Sequence, residues 1–239
     1  MILITRPKED NDKLSILLLK KNIRHKKENL TSFRILKKKI ECHPDKVFLV
    51  ASKQAVRSLS QKKNKHEIKE SNFIVIGHKV KKELQNFKAK NILAFAETSE
   101  LLLDKIKLSK KVSRHTLEYL CSNIYNRQFV RELKQAGFKV LLNQVYETIP
   151  KKKLNKSTGD SIMEGKMKAV VFFSIFSYKT FLKLCKLQGL NKRHLSKLEF
   201  IAYSNRIAKE IKKSQFGVLA AKPSSIEGII SLLKKYKFS

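Results

Sequence analysis

The 239 residues carry 53 Lys and Arg against 20 Asp and Glu, a formal net charge of +33. Hydrophobic residues make up 42% and charged residues 31%, enough apolar material for a packed core, which excludes wholesale disorder. No stretch approaches the ~18 apolar residues of a membrane-spanning helix, and residues 1–5 are too short for a secretion-signal core before the charged 6–10. Cys42, Cys121 and Cys185 are odd in number and widely spaced. They suggest neither a disulfide framework nor a zinc site, so a cytoplasmic protein is expected. The length suits one large or two small domains.

The charge is made of 44 Lys and only 9 Arg. Surfaces dedicated to nucleic acid lean on Arg, whose planar fork reads phosphates and bases bidentately. Here lysines recur in every segment, which reads as a solvated coat over an ordinary fold. A basic nucleic-acid-binding module is the competing reading, and it rests on the charge alone.

Along the chain, short apolar runs alternate with amphipathic stretches. Strands are predicted at residues 2–5, 47–51, 73–76, 92–95, 117–121, 140–146, 169–173, 200–203 and 218–220. Their continuous apolar character suits strands covered on both faces. Helical faces are read at Leu14, Leu17 and Leu18, then at Leu101, Leu102 and Ile106, and at Phe129, Val130 and Leu133. Gly137 follows the last as a stop signal, with Lys134 in its final turn. Strand–helix alternation predicts parallel α/β sheets.

A repeat lies within this alternation. Phe73-Ile74 returns as Phe200-Ile201, and Lys82-Glu83-Leu84 as Lys209-Glu210-Ile211. Two strand–helix pairs in one register predict a duplicated α/β domain. The middle copy has four βα units and a fifth strand, the C-terminal copy only three. The N-terminal 2–21 segment, followed by a strand-like 30–36, supplies the missing unit. The first domain is therefore expected to be discontinuous, 1–37 with 152–239, around an inserted 38–151. The two crossings, near Pro44 and Pro150, are expected to pair as a two-stranded linker and act as a hinge.

Ready-made chemistry is missing: there is no dinucleotide or P-loop glycine motif, no H-E-x-x-H and no G-x-S-x-G elbow. The six histidines are scattered, which argues against a metal site. What remains is a set of hydroxyls at the predicted strand ends: Ser52, Ser174, Ser122-Asn123 and Thr98-Ser99. Ligands of parallel sheets sit beyond those ends, where helix N-termini offer positive dipoles. Each is also an ordinary helix N-cap candidate. Tyr146, at the end of the fifth strand, is the remaining candidate. Its phenol is able to protonate a leaving group, or it packs as a half-buried aromatic.

These residues fall into a known order. The chain opens with Thr5-Arg6-Pro7 after a strand and continues with Ser52-Lys53-Gln54-Ala55-Val56. Ile76-Gly77 and Arg127 follow, then Val145-Tyr146-Glu147-Thr148, Phe172-Phe173-Ser174 and Pro223-Ser224. In that order, over almost its whole length, it resembles the uroporphyrinogen-III synthase family. The resemblance implies two α/β domains joined by a flexible two-stranded linker, with the active site in the cleft. It implies a monomer that uses no metal or cofactor and engages neither nucleic acid nor membrane. The implied substrate is hydroxymethylbilane, a linear polycarboxylate tetrapyrrole, which is closed to uroporphyrinogen III with inversion of the last ring and loss of water. Tyr146 would be the acid. Arg6, Ser52, Ser99, Ser122, Asn123, Arg127 and Ser174 would hold the substrate.

The chain departs from the family pattern in two places. A threonine often stands three residues after the strand-end glycine in each domain. Here those positions are Val80 and Ile207, and the second glycine is Ser204. His78, Lys79, Asn205 and Arg206 are the substitute anion donors. The missing threonines leave an inactive homologue as a further alternative.

Overall fold

The computed structural model describes residues 1–109, 112 and 115–236. The chain divides into two compact units, Met1–Ser32 with Ile149–Ser239, and Phe33–Thr148.

The first unit opens with β1 (Ile2–Ile4), α1 (Lys8–Leu19) and β2 (His25–Lys27). The chain leaves along β3 (Thr31–Ile35). The second unit contains β4 (Lys46–Val50), α2 (Lys53–Ser60), α3 (Lys65–Glu70), β5 (Asn72–Ile76) and α4 (His78–Asn86). It continues through β6 (Asn91–Ala96), α5 (Ser99–Lys107), β7 (Thr116–Ser122) and α6 (Arg127–Gln135). The chain returns along β8 (Val140–Pro150) to α7 (Lys156–Met163), β9 (Ala169–Phe172), α8 (Ile175–Leu187) and α9 (Lys192–Leu195). It ends with β10 (Glu199–Ala202), α10 (Asn205–Lys212), β11 (Val218–Ala220) and α11 (Ile226–Lys235).

The first unit's sheet has the order β11-β10-β9-β1-β2, every pair parallel. The second has β3-β8-β7-β4-β5-β6, with β4 to β8 parallel to one another. β3 runs opposite to β8: Arg34 meets Glu147, and the Leu36 amide donates to the Val145 carbonyl. Without β3, the two orders are the same with the chain rotated: β1 and β2 stand where β7 and β8 stand. Both crossings lie inside strands, at 32/33 in β3 and 148/149 in β8, a few residues earlier than the 37/38 and 151/152 expected. Pro44 comes well after β3, whereas Pro150 is the last residue of β8 and lies beside the second crossing.

Core packing follows the alternation. β1, β4 and β9 are buried along nearly their whole length, and β7 after its first residue. Helices cover each sheet on both faces, with Leu14 and Leu18 of α1 under one face and Phe181 and Leu184 of α8 under the other. Two assigned helix positions are corrected. Leu17 is 42% exposed and Leu101 56% exposed. The i, i+4 pair Leu14 and Leu18 defines the inner stripe of α1, while Leu102, Leu103 and Ile106 define that of α5. The expected Phe129, Val130 and Leu133 face is buried. β2, α3 and α9 escaped the apolar pattern because His25, Lys26 and Lys27 make a polar edge strand and the two helices are short and charged.

Candidate active site

In each sheet the strand order reverses between the two central strands, β4 and β7 in one unit and β1 and β9 in the other. Beyond the carboxyl ends of such a pair the connecting loops diverge and leave a crevice, where α/β sheets bind ligands.

In the second unit those ends carry Ser52 and Ser122. Ser52 caps α2, its Oγ accepting from the Ala55 amide at 3.1 Å. Ser122 is buried. Its Oγ donates to Asn123 Oδ1 at 2.7 Å, accepts from the Ile124 amide at 3.1 Å and lies 2.9 Å from the Thr148 hydroxyl. Asn123 Oδ1 also accepts from the Thr148 amide at 2.9 Å, which ties the β7 exit to β8. A register shift between Cys121 and Ser122 pairs Ser122 with Tyr146. Such a bulge re-aims side chains beside sites. Tyr146 lies within β8, four residues before its end and not at the terminus expected from the sequence, because the strand continues to Pro150 as a partner for β3. Its ring is buried edge-on to Phe33 at 6.0 Å, and its hydroxyl has Ser52 and Ser122 as hydrogen-bonding neighbours. Burial pushes the phenol above the ordinary tyrosine value, with the two serines pulling the other way. At neutral pH the group is protonated, and it lies beside the ends of β4 and β7.

The rest of that edge is less suited to anions. Gly77, with φ of 91°, turns the end of β5 into α4, a conformation that a side chain would strain. His78 and Lys79 follow, both exposed. His78 Nε2 lies 2.8 Å from Glu97 Oε1, and its ring packs 4.9 Å from Phe95. Thr98 is the cap of α5, accepting from Leu101 at 3.3 Å, while Ser99 donates to Glu100 at 3.1 Å. Two carboxylates thus engage His78 and Ser99. Asn126 caps α6 by accepting from Phe129 at 3.2 Å, and the exposed Arg127 opens that helix.

In the first unit the central ends carry Arg6 and Ser174. The Arg6 guanidinium is held by Asp10 at 2.8 Å and lies 4.6 Å over the Phe173 ring. Ser174 caps α8, accepting from Ser177 at 3.0 Å. Asn205 and Arg206 are exposed at the start of α10, whose cap Ser204 makes no side-chain cap bond. Val80 and Ile207 are 7% and 5% exposed and pack into the cores. Those positions belong to the inner faces of α4 and α10, so they supply packing.

Three further polar residues take part: Thr5 and Thr148 are motif residues with no role assigned from the sequence, and Asn11 carries no motif. Thr148 completes the Ser122–Asn123 network. Buried Thr5 donates to the Val171 carbonyl at 2.6 Å. Asn11 donates to the Arg6 carbonyl at 2.8 Å and accepts from its amide at 3.0 Å, shaping the β1 exit. The signal for Asn11 is an amide on the inner face of a leucine-rich helix. Among the described residues no cluster of His, Cys, Asp and Glu could hold a metal ion, and no helix is long and apolar enough to cross a membrane.

A family model described as uroporphyrinogen-III synthase HemD matches residues 23–231. The fold is similar to that of uroporphyrinogen-III synthetase from Helicobacter pylori 26695, at 16% identity and a TM-score of 0.68, over 98% of this chain and 99% of that one. It is also similar to a mutant uroporphyrinogen III synthase from the extremely thermophilic bacterium Thermus thermophilus, at 13% identity and a TM-score of 0.62, over 99% of this chain and 98% of that one. No curated protein sequence is significantly similar to the chain.

Proposed function

The chain belongs to the uroporphyrinogen-III synthase family of heme biosynthesis, and on that premise we propose that it cyclises hydroxymethylbilane to uroporphyrinogen III as a hydro-lyase, with Tyr146 as the acid. The carrying observation is the buried phenol flanked by Ser52 and Ser122 at the reversal of strand order. The chemistry is a dehydration followed by carbon–carbon bond rearrangement. Tyr146 donates a proton to the departing hydroxyl, the C–O bond breaks and water leaves, giving an azafulvenium cation and a phenolate that takes back the ring-carbon proton lost on final closure. The substituted carbon of the last ring attacks it, and the resulting spiro intermediate fragments and recloses with that ring inverted. A buried phenol with two serine neighbours is held neutral and aimed, and a well-placed acid of this kind contributes about 10²–10⁴-fold.

On this reading Ser52, Ser122 and Asn123 in one unit, and Arg6 and Ser174 in the other, receive the acetate and propionate groups through hydroxyl, amide and guanidinium donors. His78, Lys79, Ser99, Arg127, Asn205 and Arg206 are peripheral donors, with His78 and Ser99 weakened by Glu97 and Glu100. β3 and β8 serve as the two-stranded link along which the chain passes between domains. The protein acts as a cytoplasmic monomer with a small-molecule substrate, without metal or cofactor, and with no nucleic acid or membrane partner. Orientation of a reactive chain supplies much of the rate, which needs no nucleophile or triad.

The test is the isomer ratio. Purified protein with hydroxymethylbilane should raise the type III product above the spontaneous type I product, and equal ratios with and without protein would indicate an inactive homologue. Tyr146→Phe should lower turnover by roughly 10² or more while leaving the fold intact. Full turnover by that variant would remove the acid assignment alone.

A further inference from the structure

We propose that the second unit carries a separate binding site for a small polyphosphate-bearing molecule, in a lysine-lined cavity beyond the C-terminal end of α2. The cavity measures about 810 Å³ and lies between the chain leaving β3 and the turn after α2. Specific small-molecule sites occupy roughly 300–1,000 Å³. Lys37, Lys38 and Lys39 line one side, and Lys62 and Lys63 the other. Among the described residues Glu67 is the one carboxylate in the lining, against five lysines, of which Lys39 also lies 3.5 Å from Glu41. α2 begins at Ser52, beside the Tyr146 phenol, and ends at this cavity. Eight residues at ~1.5 Å each set the two places about 12 Å apart along the helix axis.

Several features make this a built pocket instead of a stretch of the lysine coat. Lys62 Nζ donates to the Leu36 carbonyl at 2.8 Å, which anchors this lining ammonium to the chain leaving β3. Burial lowers the Lys62 pKa, the behaviour of an ammonium short of compensating negative charge. Asn64 Nδ2 donates to the Ile40 carbonyl at 2.8 Å, which pins the opposite wall to the loop that carries the lysine triplet. Ile40 is itself fully buried, so the loop's position is set by the core.

The chemistry of the lining selects the ligand. Lysines are point charges with rotatable donors, suited to the tetrahedral oxygens of a phosphate chain, whereas planar carboxylates favour the arginine fork. Among the described residues no arginine lines this cavity. Ile35 and Leu36 supply an apolar wall, and Gln61 has an amide able to meet the edge of a heterocycle. A nucleoside triphosphate uses all three features; inorganic triphosphate uses only the lysines. Single-stranded nucleic acid is disfavoured, because the described lining holds no aromatic side chain to stack a base.

Binding to the full chain is measured by calorimetry in about 0.15 M salt, first with ATP and then with inorganic triphosphate, both without metal. Saturable one-to-one binding of either supports the proposal. Tighter ATP binding assigns the nucleoside, and equal affinities assign the phosphate chain alone. The exposed triple variant Lys37→Gln, Lys38→Gln, Lys39→Gln should weaken binding roughly tenfold or more, and Lys62→Met should do so separately. The variant Lys197→Gln, Lys209→Gln, Lys212→Gln removes the same charge from the other unit and should leave affinity within about twofold. An equal loss in that control would reduce the effect to diffuse attraction and overturn the site. The absence of saturable binding up to millimolar ligand would also overturn it, as would an oligonucleotide that binds these lysines more tightly than ATP.

Discussion

At the scale of single residues, the buried ionisable groups differ in what they touch. Tyr146 has a buried ring and two serine neighbours, so losing its hydroxyl should cost only about 1 kcal/mol of stability, while the proposed acid role predicts a large loss of turnover. Glu28 has no exposed surface, and it pairs with Lys151 and accepts from the Asn155 amide. Lys151→Met would leave that carboxylate buried without its cation and should lower stability by about 3 kcal/mol. Urea unfolding measures it, and an unchanged midpoint would contradict the assignment. The thiols make a third contrast. Burial pushes Cys121 up to about 11 and Cys185 up to about 12, while Cys42 is partly exposed. Native protein at pH 8 should therefore alkylate at Cys42 first, with all three labelled only after denaturation. Rapid labelling of Cys185, read by mass spectrometry, would sink this ordering.

At the scale of elements, strand ends and helix starts decide what was legible. Ser52 and Ser174 could be found from sequence because each closes an apolar run and opens a helix, and both cap as an N-cap does. Ser99 resembled them, yet the cap is Thr98 one residue earlier, and a one-residue offset changes which hydroxyl faces the helix amides. Tyr146 was visible as a motif residue, but its pairing with Ser122 depends on a bulge that no local pattern announces. Val80 and Ile207 show the reverse: their apolar character is explained by the inner helix faces they occupy. Val80→Thr would bury a hydroxyl in that face and should cost about 1–2 kcal/mol, measurable by denaturant titration. The start of α11 carries a second element-level constraint. A Cβ at Gly228 would clash with the Pro223 carbonyl oxygen, part of the backbone. Gly228→Ala should lower stability by about 1–3 kcal/mol, and a thermal midpoint equal to that of the parent would refute the packing.

At the scale of the whole molecule, charge and proton linkage set the response to solvent. Tyr146, Cys121 and Cys185 all have raised values in the folded chain, so each stays protonated while its unfolded counterpart ionises. The folded state then binds more protons, and stability must fall as pH rises from the ordinary thiol value of 9.0 toward about 12. Denaturant midpoints at a series of pH values check the sign. The net charge of +33 opposes compaction, so salt in the range of about 0.02 to 0.3 M should raise the thermal midpoint by a few degrees. Lys179 and Lys213 already share Glu210 at 2.9 Å each, an instance of how few carboxylates are available.

The charge that leads the sequence changes meaning at this scale. Its composition reads as a Lys coat, because Lys and Arg differ in how they recognise phosphate. The sequence also determined the α/β class, the duplicated strand–helix register and the rotated order of the repeat, since these follow from local apolar periodicity and its spacing. Only the tertiary structure decided which groups converge. Sheet pairing brings Ser52, Ser122 and Tyr146 together from distant segments, and the turn after α2 sets two lysines opposite three others across one cavity. Periodicity tells a side chain which face it occupies, whereas convergence depends on register and loop path, which are fixed by long-range packing.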